Sequence, residues 1–226
     1  MITNWHNVTG INPNTSKQIG NHGGRPDQMG IVLLNNMKLP ILEWLGVKMD
    51  LYKNGKPDWL IHPVYKEKVD VVAFELDINN DFSGRFSHIN NVSFDKYKVE
   101  VADDIFVLGF PNYLNGGGYF PIWKRGSVAS EPDFDLDSLP KFLIDTATRE
   151  GMSGSPVIYR RTGIHGAIGG QVMNSTIIGR IQGFVGIYSG RIKGETEFEA
   201  QLGTVWKAKV IDEIITGGIF DQGDYL

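Results

Sequence analysis

The chain has 226 residues, no cysteine and a formal net charge of −4, from 22 basic and 26 acidic residues. This length suffices for a well-buried core, as one large β domain or two small ones. The mild charge gives no sign of nucleic-acid binding, and no apolar run is long enough to suggest a membrane span. Without cysteine there are no disulfides, and residues 1–6 have neither the basic start nor the apolar core of a signal peptide. These features favour a cytoplasmic location.

Short strands and tight turns dominate the pattern of the chain. The 28 glycines, with many short β-branched and aromatic runs, predict an all-β fold of the barrel or sandwich type. Strands or strand ends are predicted at 2–8, 31–34, 47–52, 59–63, 70–76, 99–101 and 105–108. Asn54-Gly55 predicts a hairpin turn. The Gly-rich segment 115–118 is predicted to join a first half, residues 1–115, to a second half, residues 116–226.

The second half continues with strands at 142–144 and 156–159 and a hairpin at 177–187. Its last part has a helical period instead. The apolar residues on one helical face are Val205, Trp206, Val210, Ile211, Ile214 and Ile215. A C-terminal helix is therefore predicted at 204–216, with Thr204 as N-cap and a stop at Gly217-Gly218.

Three aspartates alternate along the acidic segment Glu131–Asp137 and could in principle bind calcium. The glycine and the distal glutamate of an EF-hand loop are missing from this segment. We therefore predict a solvated loop there and no metal site.

The most distinctive segment is the turn Gly151-Met152-Ser153-Gly154-Ser155-Pro156. Glycine permits backbone angles that a Cβ would forbid, so the turn can be tight and the hydroxyl of Ser153 exposed. The same turn can aim consecutive backbone N–H groups at one point, as an oxyanion hole requires. Taken alone, the segment fits a nucleophile turn and an ordinary Gly/Ser loop before a strand equally well.

A nucleophilic serine needs a base, and the base works better when a buried carboxylate holds it. Of the five histidines, we place His6 at the end of an apolar strand, whereas His62 precedes a proline, and no two have the spacing of metal ligands. Asp70 is the best orienting acid because it begins the apolar strand Val71–Leu76, where a buried carboxylate needs a partner. Asp77 and Asp81 are rivals that begin no such strand. An ordinary structural role is the alternative for both His6 and Asp70.

His6, Asp70 and Ser153 follow one another in the order of the chymotrypsin triad. The residues around them resemble the chymotrypsin-like (trypsin-like) serine peptidases of bacterial type. The segments that carry the resemblance are Ile2–His6, Asp70–Ala73, Gly109–Pro111, Gly151–Val157, Gly186–Gly190 and the helix from Val205. Each motif is weak to moderate by itself, but the ordered set covers nearly the whole chain.

The resemblance implies two six-stranded antiparallel β-barrels with the active site in the cleft between them. His6 and Asp70 would come from the first barrel and Ser153 from the second, with the backbone N–H groups of Gly151 and Ser153 as oxyanion hole. It implies a serine endopeptidase that cleaves a peptide or protein substrate through an acyl-enzyme, without metal or cofactor. Ser155, the rival nucleophile, would hold a small position that lets the next strand pack.

The same resemblance implies a pocket for the substrate side chain. Its residues would be Ala147 at the base, Thr148 beside it, and Tyr188, Ser189, Gly190 and Arg191 along the wall. No acid lies at the base, so a preference for Lys or Arg is not supported. Tyr188 stands where glutamate-specific relatives carry histidine. Arg191 either narrows the pocket, attracts an acidic side chain or points to solvent.

The first strands of the family's first barrel have no counterpart in this sequence. Only five residues precede His6, so the first barrel is expected to be incomplete and Met1 to be an internal methionine of a longer protein. Two other functions therefore stay open. One is an inactive peptidase-like protein that binds a peptide or a protein partner. The other is an unrelated all-β binding module, for which the ordered motifs would be a coincidence.

Overall fold

The computed structural model describes residues 1–19, 25–38, 41–76, 89, 98–166, 170–174, 176–192, 201–223 and 225. The rival acids Asp77 and Asp81 lie outside these residues. Within them, no helix has the length and apolar character that a membrane crossing requires.

Short strands surround one small helix in the first part of the chain. Its elements are β1 (Ile2–Thr3), α1 (Trp5–Thr9), β2 (Gln28–Lys38), β3 (Ile41–Asp50), β4 (Tyr52–Lys53), β5 (Lys56–Pro57), β6 (Leu60–Ile61) and β7 (Val72–Ala73). Helix α1 ends after five residues because Gly10 takes the left-handed conformation, with φ 69°, and donates its N–H to the carbonyl of His6. Asn54 and Gly55 both have positive φ and connect β4 to β5, which confirms the predicted hairpin turn.

Six antiparallel strands in the remainder of the chain close into a barrel. They are β8 (Asp104–Gly109), β9 (Ile122–Val128), β10 (Lys141–Asp145), β11 (Pro156–His165), β12 (Ile177–Arg191) and β13 (Leu202–Lys207). They pair in the order β10-β13-β12-β11-β8-β9, and β9 returns to β10. Alternate residues of these strands fill the interior, among them Ile105, Val107, Phe142, Ile144, Val157 and Val205. The predicted all-β fold is confirmed.

Strand β8 is part of this barrel, although the predicted division at residue 115 assigns it to the first half. It pairs with both β9 and β11, and the barrel would be open without it. The Gly-rich segment 115–118 lies between β8 and β9, two neighbouring strands of the same barrel.

An open sheet stands where the resemblance implies the first barrel. Its order is β1-β7-β6-β14, where β14 (Ile219–Phe220) follows the helix α2 (Lys209–Gly217). Ile219 pairs with Ile61, so the last strand of the chain is added to the sheet that contains β1 and β7. In the part of the chain that the structure describes, β1 and β14 each pair on one side only.

Two elements predicted in the second half of the chain differ in the structure. The helix begins at Lys209 rather than at 204, because residues 202–207 form β13 and pair with strands on both sides. Val210, Ile211 and Ile214 are its buried face, as predicted. The segment 177–187 is one strand rather than a hairpin. Its Gly186 permits a close approach, since a Cβ there would lie 1.8 Å from the carbonyl oxygen of Trp206.

Candidate active site

His6 and Asp70 are in direct contact. The Nδ1 atom of His6 lies 2.6 Å from Oδ2 of Asp70, and the backbone N–H of His6 donates to Oδ1 at 2.9 Å. Asp70 is only 1% exposed, and the His6 side chain is 12% exposed. An ionised carboxylate only accepts hydrogen bonds, so Nδ1 carries the ring proton and Nε2 remains as the basic nitrogen.

His6 lies in the first turn of α1, not at the end of a strand as the sequence predicts. Strand β1 has two residues, and the chain enters the helix at Asn4, whose backbone is extended. The buried Asn4 donates through Nδ2 to the backbone carbonyl of Asp70 at 2.6 Å. Because Thr3 also pairs with Val72, the start of α1 is connected to the Asp70 segment by a side chain and by the sheet.

The Asp70 carboxylate also accepts a third hydrogen bond, from a residue of β12. Ser189, which the resemblance places on the pocket wall, donates through Oγ to Oδ2 of Asp70 at 2.5 Å. Ser189 lies in β12 of the closed barrel, and Asp70 lies two residues before β7 of the open sheet. This hydrogen bond therefore connects the barrel to the segment that enters the open sheet. No pattern in the sequence indicated this contact.

The turn that presents Ser153 requires both of its glycines. Gly151 and Gly154 each have φ +84°, a conformation that L side chains rarely adopt. A Cβ on Gly151 would lie 2.6 Å from the carbonyl oxygen of Phe110, and one on Gly154 would lie 2.7 Å from Thr3 Oγ1. Within the described ranges, the N–H groups of Gly151 and Ser153 have no hydrogen-bond acceptor. They are therefore available to a ligand.

Asn7 connects the Ser153 turn to the helix of His6. Its Nδ2 donates to the carbonyl oxygen of Ser153 at 3.2 Å and to Thr3 Oγ1 at 3.1 Å. On the other side, a Cβ on Gly190 would lie 3.9 Å from Ser153 Oγ, so β12 runs close past the hydroxyl. Among the described residues, no hydrogen bond joins Ser153 Oγ to His6. Catalytic hydrogen bonds are often long without substrate and tighten when it binds.

Two of the predicted pocket residues, Thr148 and Tyr188, are buried and in contact with each other. Thr148 Oγ1 and the hydroxyl of Tyr188 are hydrogen bonded, and both side chains are buried. The Tyr188 ring lies against Gly203, where a Cβ would be 2.5 Å from Cε2. Burial raises the pKa of Tyr188, while the bond from Thr148 and the charge of Arg191 lower it. Ala147 is half-buried and Arg191 is exposed.

Ser155, the alternative nucleophile, is 7% exposed and packs into the barrel. A Cβ on Gly109 would lie 2.1 Å from Ser155 Oγ, so the hydroxyl sits directly against that glycine. The carbonyl of Ser155 accepts from the N–H of Tyr188 at 2.9 Å.

The other described histidines have partners away from Ser153. His62 Nε2 lies 2.8 Å from Glu213 Oε2, and His165 Nε2 lies 3.1 Å from the carbonyl oxygen of Gly179. His22 and His88 lie outside the described residues.

The part of the chain that the structure describes contains no group of three His, Asp or Glu side chains that could hold a metal ion. The three alternating aspartates of the acidic segment instead lie near lysines. Asp135 accepts from Lys207 Nζ at 2.6 Å, which holds the pKa of that carboxyl below its ordinary value. Asp133 and Asp137 lie 3.5 and 3.0 Å from the ammonium groups of Lys98 and Lys141.

Sequence reasoning missed Asp221. It is 4% exposed, and the indole N–H groups of Trp5 and Trp59 donate to its Oδ2 at 2.9 and 3.0 Å. No apolar strand follows Asp221, so the signal that singled out Asp70 does not apply. The one sequence feature that could have pointed to Asp221 is that it directly follows the last apolar pair, Ile219-Phe220.

No protein-family model matches the chain, and no curated protein matches it either. Solved structures do give matches. The active form of the Rv3671c protease from M. tuberculosis is 16% identical, over 76% of this chain and 63% of that chain, with a TM-score of 0.37. An inactive serine-to-alanine mutant of Rv3671c is 18% identical, over 84% of this chain and 76% of that chain, with a TM-score of 0.35. The chain thus spans just under two thirds of the first of these structures, and both similarities are distant ones.

Proposed function

We propose that the chain is a serine endopeptidase in which Ser153 is the nucleophile, His6 the base and Asp70 the orienting acid. The observation that carries the proposal is the contact between His6 and the buried Asp70, with Nε2 of the imidazole left as the basic nitrogen. A side chain of the same helix, Asn7, binds the turn that presents Ser153. This is the set of groups that acyl transfer through a serine requires.

Each group has one task in this reaction. His6 Nε2 takes the proton of Ser153 Oγ as the oxygen attacks the scissile carbonyl carbon. Asp70 stabilises the imidazolium that forms, and the N–H groups of Gly151 and Ser153 donate to the developing oxyanion. The proton on His6 then passes to the leaving amine as the C–N bond breaks. Water repeats the same steps on the acyl-enzyme and releases the acid.

A second function, binding of a peptide without hydrolysis, is favoured by one observation. Ser153 Oγ and His6 are not hydrogen bonded in the described structure. If substrate does not bring them together, the serine stays a poor nucleophile near neutral pH.

A fluorophosphonate probe distinguishes the two functions because it labels only an activated serine. We expect covalent labelling of the wild type on Ser153, found by peptide mapping, and hydrolysis of a mixed peptide library. Ser153→Ala should abolish labelling and lower the rate by about 10⁶-fold. Ser155→Ala is the matched control. It should keep both the labelling and the hydrolysis of the wild type, since Ser155 is buried against Gly109. Labelling on Ser155, or equal labelling of wild type and Ser153→Ala, would contradict the proposal.

A further inference from the structure

We propose that Asp221 is a positioning residue for His6, because its buried carboxylate fixes the helix that carries the imidazole. The inference rests on the proposed role of His6 as base. It starts from the donors around the carboxylate. Trp5 and Trp59 donate to Oδ2, the N–H of Gly223 donates to Oδ1 at 2.9 Å, and the hydroxyl of Tyr225 lies 3.0 and 3.1 Å from the two oxygens.

All four donors to Asp221 are neutral groups, and no cation is among its partners in the described residues. A buried carboxylate is costly unless hydrogen bonds replace its hydration. Hydrogen bonds to an ionised acceptor are roughly twice as strong as neutral ones. One carboxylate therefore holds four groups at fixed positions, and any change to its charge or shape releases them together.

The groups that Asp221 connects come from both ends of the open sheet. Trp59 directly precedes β6, and the N–H of Asp221 donates to the Trp59 carbonyl at 3.1 Å. Trp5 is the first residue of α1 and the neighbour of His6. The ring of Tyr225 lies edge-on to Trp5, at 5.7 Å between centroids, and stacks on Trp59 at 6.1 Å. The carboxylate thus binds α1 to the β6–β14 side of the sheet.

Helix α1 needs such external contacts. A helix of five residues is far below the length at which helices persist alone in water. One set of contacts is the Asp70 carboxylate, which binds the backbone and the ring of His6. The other is Asp221, through the side chain of Trp5. If the Trp5–Asp221 hydrogen bond is removed, the helix can rotate or shift about the Asp70 contact. A displacement of about 1 Å can lower a rate by about 10²-fold.

Two tryptophan variants test the inference as a matched pair. Trp5→Phe and Trp59→Phe each remove one indole N–H from the same oxygen of Asp221, and the parent side chains are 5% and 0% exposed. Only Trp5 lies in the helix of His6. We expect both variants to lower the Tm, but only Trp5→Phe should lower kcat, by roughly tenfold to a hundredfold, with KM within about twofold. Asp221→Asn should lower kcat as Trp5→Phe does, and it should lower the Tm further because it weakens all four hydrogen bonds.

The ring proton on Nδ1 of His6 provides a readout that does not depend on activity. In the wild type its NMR signal should be the low-field signal of a proton shared with a carboxylate. We expect it to broaden or move in Trp5→Phe and to stay unchanged in Trp59→Phe. Equal changes in the two variants, or none in either, would overturn the inference, whether or not Asp221→Asn folds. If the wild type fails to label with fluorophosphonate, the proposed function fails, while this comparison still decides the role of Asp221.

Discussion

The two parts of the molecule hold their functional groups by different means. Ser153 belongs to a closed barrel, in which every strand has a neighbour on both sides. The backbone fixes its turn, since the N–H of Gly154 donates to the carbonyl of Tyr188 and that of Tyr188 to the carbonyl of Ser155. His6 lies in α1 and Asp70 lies two residues before β7, next to an open sheet whose strands have two residues each.

Strands of two residues provide few backbone hydrogen bonds. Side-chain hydrogen bonds therefore make more of the connections around the open sheet. The carboxylates of Asp70 and Asp221 receive donors from α1, β12 and the segment after β14. Backbone hydrogen bonds thus hold much of the Ser153 turn, whereas the position of His6 on its small helix depends on buried carboxylates.

The strongest test of this contrast is a substitution of Asp70, which contacts His6 and is proposed to orient it. Asp70→Asn should lower kcat/KM by about 10⁴-fold, because an amide can donate to Nδ1 and so favour the wrong tautomer of His6. Ser189→Ala removes one donor from the same carboxylate and leaves the His6 contact in place. We expect a loss of roughly tenfold for Ser189→Ala. Kinetics with one peptide substrate measure both, and losses of equal size would show that Asp70 does not act through the tautomer.

The contact between the two parts can be tested at Gly154. Its φ is +84°, and a Cβ there would meet Thr3 Oγ1 at 2.7 Å and Asn7 Nδ2 at 3.3 Å. Gly170 is a matched control, with φ +78° and no atom of the described residues within 4 Å of the added Cβ. Gly170→Ala should cost only the backbone strain, about 1–2 kcal/mol.

Gly154→Ala should be less stable than Gly170→Ala and should also separate Ser153 from α1. We expect fluorophosphonate labelling to slow by about 10²-fold in Gly154→Ala alone. Urea denaturation gives the free energies of unfolding, and labelling rates give the second effect. If Gly154→Ala labels as fast as Gly170→Ala, the contact with Thr3 and Asn7 does not set the geometry.

Amide hydrogen exchange should differ between the barrel and the open sheet in the wild-type protein. Closed pairing predicts that the amides of β8, β11, β12 and β13 exchange only through global unfolding. The amides of β1, β6, β7 and α1 should exchange at a lower free energy, through opening of the sheet. In Asp221→Asn the second group should lose protection while the barrel keeps it. Uniform protection across both parts would remove the contrast.

The smallest expected effect concerns alkaline stability. Burial raises the pKa of Tyr225, and the Asp221 carboxylate raises it further; burial also raises the pKa of Tyr188. Above about pH 10 the unfolded state loses these phenol protons while the folded state keeps them, so stability falls as the pH rises.

Tyr225→Phe and Tyr188→Phe should each reduce the loss of Tm between pH 8 and pH 11. The reduction should be larger for Tyr225→Phe, because only that hydroxyl faces a carboxylate. Thermal unfolding followed at both pH values measures the difference. A loss that is unchanged in Tyr225→Phe would show that its proton is not retained on folding.

Local patterns predicted the parts of the structure that depend on local physics. The strand at 105–108 and the turn at Asn54-Gly55 follow from side-chain period and backbone preference, and the structure has both. The helix prediction at 204–216 was wrong in its first part, because pairing with two distant strands determines residues 202–207. The sequence of a strand does not show which distant strands it will pair with in the barrel.

The same reasoning explains what could be predicted of the site. The order of His6, Asp70 and Ser153 suggested a site, and the structure brings the first two into contact. The catalytic roles of the three residues remain a prediction. Ser189 and Asp221 could not be predicted, since each reaches its partner across more than a hundred residues, at separations of 119 and 216. Hydrogen bonds over such distances depend on the completed fold.

The separation between Trp5 and Asp221 also has a consequence for the time at which the site is completed. Synthesis proceeds from the N-terminus, and domains begin to fold as they emerge. All six barrel strands precede residue 219, so every strand of the barrel is synthesised before the carboxylate that binds Trp5. We therefore expect His6 to reach its final position only after the last barrel strand has been synthesised, when Asp221 can bind Trp5.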